Sequence, residues 1–162
     1  MNSAAIALGS NLGDRASHLA SAVQHLHSVL TGLRVSSWHE TAPVGVPLQP
    51  DFLNGAVVGE TTLGPRALLE RLLAIEQAHG RERPHEGAPR TLDVDLILYG
   101  GEVIDEPGLR VPHPRFRERR FVLEPLSEIA SGWIDPVTGR SVGELLAGLL
   151  RARQGHGGRP QL

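Results

Sequence analysis

Hydrophobic positions along this chain follow two spacings, and the order of those spacings predicts the fold. Runs with strand character, either alternating or continuously apolar, cover residues 3–8, 33–40, 52–62 and 92–99. Apolar residues at helical spacing predict a first helix that starts at Asp14 or in the turn before it and ends near Gly32. A second helix is predicted from Pro65 through Ala78, with Gly80 as its stop. The order β-α-β-β-α-β is typical of an α+β, ferredoxin-like fold, so we expect a mainly antiparallel sheet with helices packed on one face.

The rest of the chain completes a single domain that we expect to span residues 1–152. Residues 41–50 contain three prolines and are predicted to form the loop of a hairpin between the second and third strands. A short strand is predicted near 102–104, then a Pro- and Arg-rich connection, then helices over 121–129 and 142–150. The tail over 153–162 is polar and rich in glycine, and we expect it to be disordered.

Composition excludes several kinds of chemistry. The chain has no cysteine, which excludes disulfides, thiolate nucleophiles and zinc thiolate sites. All sixteen basic residues are arginine, so there is no Walker A lysine and no Schiff base. The net charge of −2 and the lack of a basic stripe argue against nucleic acid as a partner. No apolar run approaches membrane-spanning length and no signal-like segment is present, so we expect a cytoplasmic protein without a membrane partner.

The strongest local pattern is a pair of aspartates at the start of the last predicted core strand. Side chains alternate faces along a strand, so Asp93 and Asp95 point the same way while Val94 points the other. Two carboxylates on one face repel each other unless a cation lies between them, and Mg²⁺ commonly uses one or two carboxylates together with substrate phosphates. Arg90 just upstream offers a fork that matches phosphate geometry. A solvated strand end or a capping turn is an equally ordinary reading of the pair alone.

Two further groups of polar residues admit either a functional or a structural reading. Glu76 lies on the apolar stripe of its predicted helix, either aimed at a ligand or extending to water at the edge of the core. Arg81, Arg83 and Arg90 bracket a loop that could close over a polyphosphate, although scattered arginines on a surface loop are commoner.

Aromatic and imidazole groups give three more candidates. Phe52 and Asn54 are predicted to face one side of their strand, where they could bind a flat heterocycle or simply serve a core and a turn. His113 is fixed by a proline on each side and could contact a phosphate oxygen, or have no role in its turn. Residues 9–13 look like a phosphate loop but lack a known fingerprint, so we interpret them as a strand-to-helix turn.

Taken in order, these segments resemble the 6-hydroxymethyl-7,8-dihydropterin pyrophosphokinase family of the folate pathway. The resemblance runs from Ile6 to about Leu126, and its most specific parts are Gly9-Ser10-Asn11, Thr41-x-Pro43-x-Gly45, residues 50–54, Ile75-Glu76, residues 89–95 and Val111-Pro112-His113-Pro114. It implies a ferredoxin-like α+β fold. It also implies transfer of the β,γ-pyrophosphate of ATP to the hydroxymethyl oxygen of the pterin, with release of AMP.

The resemblance further implies roles for individual residues. Asp93 and Asp95 match the aspartates that hold two Mg²⁺ ions, and with Arg83 and Arg90 they form the catalytic set. The implied ATP site consists of Glu76, Arg83, Arg90, Leu96, His113 and Arg119. The implied pterin site consists of Thr41, Pro43, Val44, Phe52, Asn54 and Phe121.

The sequence departs from the family pattern at several positions. Leu73 stands where a glutamine is often seen, and Pro114 where some members have a tyrosine. Gly108 and Arg110 replace residues that are often arginine and threonine. The stretch 86–90 lacks the tryptophan that many members carry there.

Two other interpretations remain open at this point. A palm-like nucleotidyl transferase also places Asp-x-Asp on a ferredoxin-like sheet, but it would need a basic groove for nucleic acid. A non-catalytic nucleotide-binding module would have no need of the aspartate pair and a pterin pocket together. On the preferred interpretation, the partners are the small molecules ATP and pterin, and we expect a monomer.

Overall fold

The computed structural model describes residues 1–42, 51–79 and 91–154. Within these ranges the chain forms strands and helices in the order β1 (Asn2–Ser10), α1 (Arg15–Leu26), β2 (Thr31–Val35), β3 (His39–Thr41), β4 (Phe52–Thr61), α2 (Pro65–Ala78), β5 (Asp93–Tyr99), β6 (Ile104–Glu106), β7 (Leu109–Val111), a 3₁₀ turn (Phe116–Glu118), α3 (Arg120–Ala130) and α4 (Val142–Gln154). In the described part of the chain, no helix has both the length and the apolar character needed to cross a membrane.

The central sheet is antiparallel, as the β-α-β-β-α-β order predicted. Its strand order is β2-β4-β1-β5, with β3 pairing to the first residues of β4. Strands β6 and β7 form a separate hairpin. The α+β, ferredoxin-like prediction is therefore confirmed, with β1 and β4 in the middle of the sheet and β5 at one edge.

The helices, however, cover both faces of the sheet, so the expectation of one helical face is wrong. Helices α1 and α2 pack on one face in a core that includes Ile6 and Leu8, and we call it core A. Helices α3 and α4 pack on the other face in a core that includes Ala5 and Ala56, and we call it core B. The continuously apolar stretch of β1 already indicated burial on two sides, which is typical of strands covered on both faces.

The hairpin arm predicted over 33–40 is two strands rather than one. Ser36 interrupts the ladder, because its backbone N–H donates to the Ala56 carbonyl and its Oγ accepts from the Ala56 N–H at 2.8 Å. Trp38 then lies over Gly55, where no side chain stands in its way. Helix α1 also ends at Leu26, earlier than predicted, because Leu30 joins the core from the turn and not from the helix.

Two boundaries nearer the C-terminus also differ from the prediction. The short strand lies at Ile104–Glu106 instead of 102–104, and its partner Leu109–Val111 was missed inside the Pro- and Arg-rich connection. The signal was present, because Pro107-Gly108 is a two-residue turn in which Gly108 adopts φ 77°. Helix α4 continues to Gln154, past residue 153 where the polar tail was predicted to begin, and the remaining tail lies outside the described residues.

A bulge at Ile97 divides β5 into two halves, and the two aspartates lie in the first half. Ala5 pairs with Leu98 while the next residue, Ile6, pairs with Leu96, which leaves Ile97 as an extra residue. Leu96 consequently faces core A, whereas Ile97 and Leu98 both face core B. Before the bulge, side chains alternate regularly between the two faces of the sheet, so Asp93 and Asp95 lie on the same face.

Substitution of Gly55 tests the contact with Trp38. A Cβ at this position would lie 2.4 Å from two ring atoms of Trp38, so Gly55→Ala must displace the indole. We expect the free energy of unfolding, measured by urea denaturation, to fall by about 1–3 kcal/mol.

The control is Gly101→Ala, since a Cβ at Gly101 meets nothing within 4 Å. We expect it to change the free energy of unfolding by less than about 0.5 kcal/mol. Equal stability of the two variants would show that Trp38 does not pack against Gly55.

Candidate active site

The predicted site residues meet across three strands of the sheet. Gly9 on β1 lies opposite Asn54 on β4 and opposite Asp93 on β5. Two residues earlier on β1, Ala7 lies opposite Asp95. Laterally paired residues point to the same face of a sheet, so Asn54, Asp93 and Asp95 share one face. Only Gly9 and Ala7 lie between the amide and the carboxylates, so this part of the sheet surface carries no large side chain. We call this surface the floor.

The aspartates alternate with core residues as the sequence predicted. Asp93 and Asp95 are half-buried, whereas Leu92 and Val94 are at most 3% exposed and belong to core A. The carboxylates therefore lie on the core B side of the sheet, at the end of β5 that precedes its bulge. Both make interactions within the protein.

Gly9 is the position where the chain has least room for a side chain in this floor. An added Cβ would lie 3.0 Å from Asn54 Oδ1 and 3.7 Å from a ring carbon of Phe52. Asn54 and Phe52 therefore lie beside the same face of Gly9, which confirms the prediction that Phe52 and Asn54 share a side. The Asn54 amide nitrogen donates to Thr41 Oγ1 at 2.6 Å, so the amide orientation is fixed by a neighbouring strand.

Of the other residues predicted to bind the pterin, the structure describes Phe121 but not Pro43 and Val44. Phe121 is half-buried on α3 and packs against core B, on the same side of the sheet as the aspartates. The Arg119 guanidinium lies 5.6 Å from the centroid of the Phe121 ring, a cation–π distance. Pro43 and Val44 lie outside the described residues, as do the predicted phosphate ligands Arg83 and Arg90 and the rest of the proposed lid.

Glu76 has a role that sequence reasoning missed. It is 2% exposed, so of the two readings left open by the sequence, the one in which it extends to water is excluded. Its Oε2 accepts the backbone N–H of Val94 at 2.7 Å, between the two aspartates. Because β5 is an edge of the sheet, Glu76 takes up a backbone group there and fixes the strand that carries both carboxylates.

A cavity of about 690 Å³ opens beside this edge. It lies between α2, β5, the β6–β7 hairpin and the turn after it, and it contains Glu76, Asp95, Leu96 and His113 of the predicted set. Its volume is within the range of small-molecule sites. Four of the departures from the family pattern also line it, namely Leu73, Gly108, Arg110 and Pro114, while the fifth, at residues 86–90, lies outside the described residues.

His113 is held as a neutral imidazole. Its backbone N–H donates to the Ile97 carbonyl at 2.9 Å, and its Nδ1 accepts the Arg115 backbone N–H at 3.2 Å. An accepting Nδ1 places the ring proton on Nε2, which is then a donor. Burial, with the charges of Arg119 and then Arg115, lowers the pKa of His113 to about 4.

Comparison with sequences of known proteins gives one consistent result. The family model described as 7,8-dihydro-6-hydroxymethylpterin-pyrophosphokinase (HPPK) matches residues 5–131. The chain is 50% identical over 130 residues to a 2-amino-4-hydroxy-6-hydroxymethyldihydropteridine pyrophosphokinase of Bacillus subtilis, covering 79% of this chain and 78% of that protein. It is 42% identical over 146 residues to the protein of the same name from Synechocystis, covering 88% of this chain and 74% of that protein.

Comparison with solved structures supports the fold. A Plasmodium falciparum HPPK-DHPS chain superposes with a TM-score of 0.76 at 15% identity, covering 94% of this chain and 45% of that one. An HPPK-DHPS in complex with substrates gives a TM-score of 0.73 at 13% identity, covering 96% and 45%. Identities this low show a shared fold, and this chain spans less than half the length of those solved chains.

Substitution of Glu76 separates its backbone contact from its charge. Glu76→Leu removes the acceptor of the Val94 N–H, so we expect the free energy of unfolding to fall by about 1–3 kcal/mol relative to Glu76→Gln, which keeps a carbonyl oxygen. Urea denaturation measures the difference. Glu70→Leu is the matched control, because Glu70 is exposed on the same helix. If Glu76→Leu and Glu76→Gln were equally stable, the backbone contact would contribute nothing.

Titration of His113 tests its electrostatic environment. A folded pKa near 4, below the ordinary 6.5, means that unfolding takes up a proton between those values, so His113 makes stability rise with pH across that window. We expect an NMR midpoint near 4, and a shallower loss of stability from pH 6.5 to 4 in His113→Asn. A midpoint near 6.5 would contradict the burial of this imidazole beside two arginines.

Proposed function

The chain belongs to the 7,8-dihydro-6-hydroxymethylpterin-pyrophosphokinase family, and from this membership we propose that it transfers pyrophosphate from ATP to the hydroxymethyl oxygen of 6-hydroxymethyl-7,8-dihydropterin. It is an enzyme, a pyrophosphokinase of folate synthesis. The proposal adds the substrates, the release of AMP, the requirement for Mg²⁺ and the residues that act on them.

One geometric observation supports the proposal most. Asp95 lies on the same face as the row Asn54–Gly9–Asp93, two residues along β5 from Asp93, and it also lines the wall of the 690 Å³ cavity. A heterocycle over Gly9 and a triphosphate in the cavity would therefore meet at this carboxylate. Holding two reactants in one geometry is a large part of catalysis for a transfer between two bound molecules.

The carboxylate pair fits Mg²⁺. Among the described residues, no three acidic or histidine side chains form a closed metal centre. An open pair is what Mg²⁺ commonly uses, since it keeps waters and takes its other ligands from substrate phosphates. When bound, Mg²⁺ would neutralise phosphate charge and lower the pKa of the attacking hydroxyl.

The nucleotide would be bound by residues around the cavity. His113 Nε2–H would donate a neutral hydrogen bond to a phosphate oxygen, and Arg119 would supply positive charge close by. Glu76 would act through the backbone of Val94, by keeping β5 in place while charge accumulates on the phosphates. Arg83 and Arg90 complete the proposed phosphate ligands from outside the described residues.

The pterin would lie on the floor over Gly9. Asn54, whose amide is held by Thr41, would pair with the polar edge of the heterocycle. Phe52 and Phe121 would enclose its two faces, the second with Arg119 stacked near its ring. Pro43 and Val44 stay in the proposed site through the family resemblance alone.

No specific observation favours a palm-like transferase or a non-catalytic module, and the monomeric state stays a prediction.

Loss of one carboxylate should separate chemistry from folding. We expect Asp95→Asn to lower kcat for AMP formation from ATP, Mg²⁺ and hydroxymethyl-dihydropterin by about 10³-fold or more. We expect its melting temperature to stay the same or rise, because a like-charge repulsion is removed.

Glu102→Gln is the control, since it removes an exposed carboxylate beyond the sheet and should leave turnover unchanged. No AMP from the folded wild-type chain would reject the proposed reaction. A lower melting temperature with normal turnover in Asp95→Asn would make the aspartate structural.

A further inference from the structure

Three histidines lie near one another on α1 and at the end of α2. His18 and His25 come from α1 and His79 follows the last residue of α2; we call them the histidine cluster. The Nδ1 atoms of His18 and His79 are 2.9 Å apart, and their rings stand edge to face at 5.1 Å between centroids. The ring of His25 is 6.1 Å from that of His79. The mechanism proposed above uses none of the three.

We propose that His18 and His79 form a binding site for a divalent transition-metal ion such as Zn²⁺ or Ni²⁺, with water in the remaining positions. Metal–imidazole bonds are about 2.0–2.1 Å long, so two nitrogens 2.9 Å apart match cis ligands at an angle of about 90°. Opening to a tetrahedral angle requires only a few tenths of an ångström more.

The cluster offers lone pairs to a cation at neutral pH. Burial, followed by the neighbouring His18 and His25, lowers the pKa of His79, which keeps that imidazole in the neutral form that binds metals. Without an ion, the facing nitrogens can share one proton in an N–H···N bond, in which one Nδ1 donates and the other accepts. For a divalent ion to bind, the donating ring moves its proton from Nδ1 to Nε2 through solvent, and both Nδ1 lone pairs are then available as ligands.

The backbone around the cluster is held by other contacts, which reduces the ordering cost of binding. The His79 carbonyl accepts from Thr91 Oγ1 at 2.6 Å, which ties the end of α2 to the start of β5. Asp14 caps α1 by accepting the Ser17 N–H, one residue before His18. Both imidazoles are half-buried, so an ion from solvent can reach them while their helices stay in place.

This site differs in chemistry from the aspartate pair. Imidazole nitrogen suits Zn²⁺ and Ni²⁺, whereas carboxylates without imidazole suit Mg²⁺. Within the described ranges no three potential ligands converge, so the site is open and has two protein ligands in its present geometry. Excess Mg²⁺ should therefore occupy the aspartates without displacing an ion from the histidines.

Calorimetric titration of the untagged full chain with Zn²⁺, in excess Mg²⁺, tests the proposal. We expect one equivalent to bind the wild type, and affinity to fall by at least about tenfold in His18→Gln and in His79→Gln. His27→Gln is the matched control, because His27 is an exposed histidine at the end of the same helix and outside the cluster. It should bind as the wild type does.

A measurement on the wild type avoids dependence on the folding of the variants. In nitrogen-15 NMR, Zn²⁺ should shift the side-chain Nδ1 signals of His18 and His79 while that of His113 stays unchanged. The proposal is overturned if wild-type chain binds no Zn²⁺, if both cluster variants bind as tightly as His27→Gln, or if those Nδ1 signals do not move.

Discussion

Strand β1 must bury both of its faces and yet carry only small residues on one face near its end, and the rest of the structure depends on this constraint. Ile6 and Leu8 supply core A while Ala5 supplies core B, so helices are needed on both sides of the sheet. Toward the end of the strand the residues shrink to Ala7 and Gly9 on the core B face. The central strand that stabilises the domain thus also forms the floor between an amide and two carboxylates, where we propose that the pterin binds.

The edge strand β5 joins that floor to the cavity of about 690 Å³. An edge strand leaves backbone groups without a sheet partner, and here Glu76 accepts one of them from inside the protein. The buried carboxylate thereby fixes the residue between the aspartates instead of reaching solvent. The bulge at Ile97 lets the same strand continue into core B, and the Ile97 carbonyl holds the backbone of His113 at the cavity wall. One short strand, β5, therefore both positions the two aspartates and supplies residues to core A and core B.

The electrostatics follow from the same arrangement. The chain has no lysine, so the phosphate binding that we propose would rely on arginine, neutral donors and metal. Burial beside Arg119 and Arg115 keeps His113 neutral, which makes it a hydrogen-bond donor without charge at the cavity wall. Four departures from the family pattern, at Leu73, Gly108, Arg110 and Pro114, line the cavity, whereas the row from Asn54 to Asp93 keeps the expected residues. Among the described residues, variation from the family pattern is thus located at the cavity where we propose that the nucleotide binds.

The sequence by itself determined the order of the core elements, the bounds of α2, the shared face of Asp93 and Asp95, and the family, because periodicity and motif spacing are local properties. Tertiary structure decided what depends on partners distant along the chain. Glu76 could be assigned to Val94 only once α2 lay beside an edge strand. The split at Ser36 required Trp38 to meet Gly55, and the pairing of His18 with His79 required two helix ends to converge. Local patterns specify which face a side chain takes, but only packing specifies what it meets there.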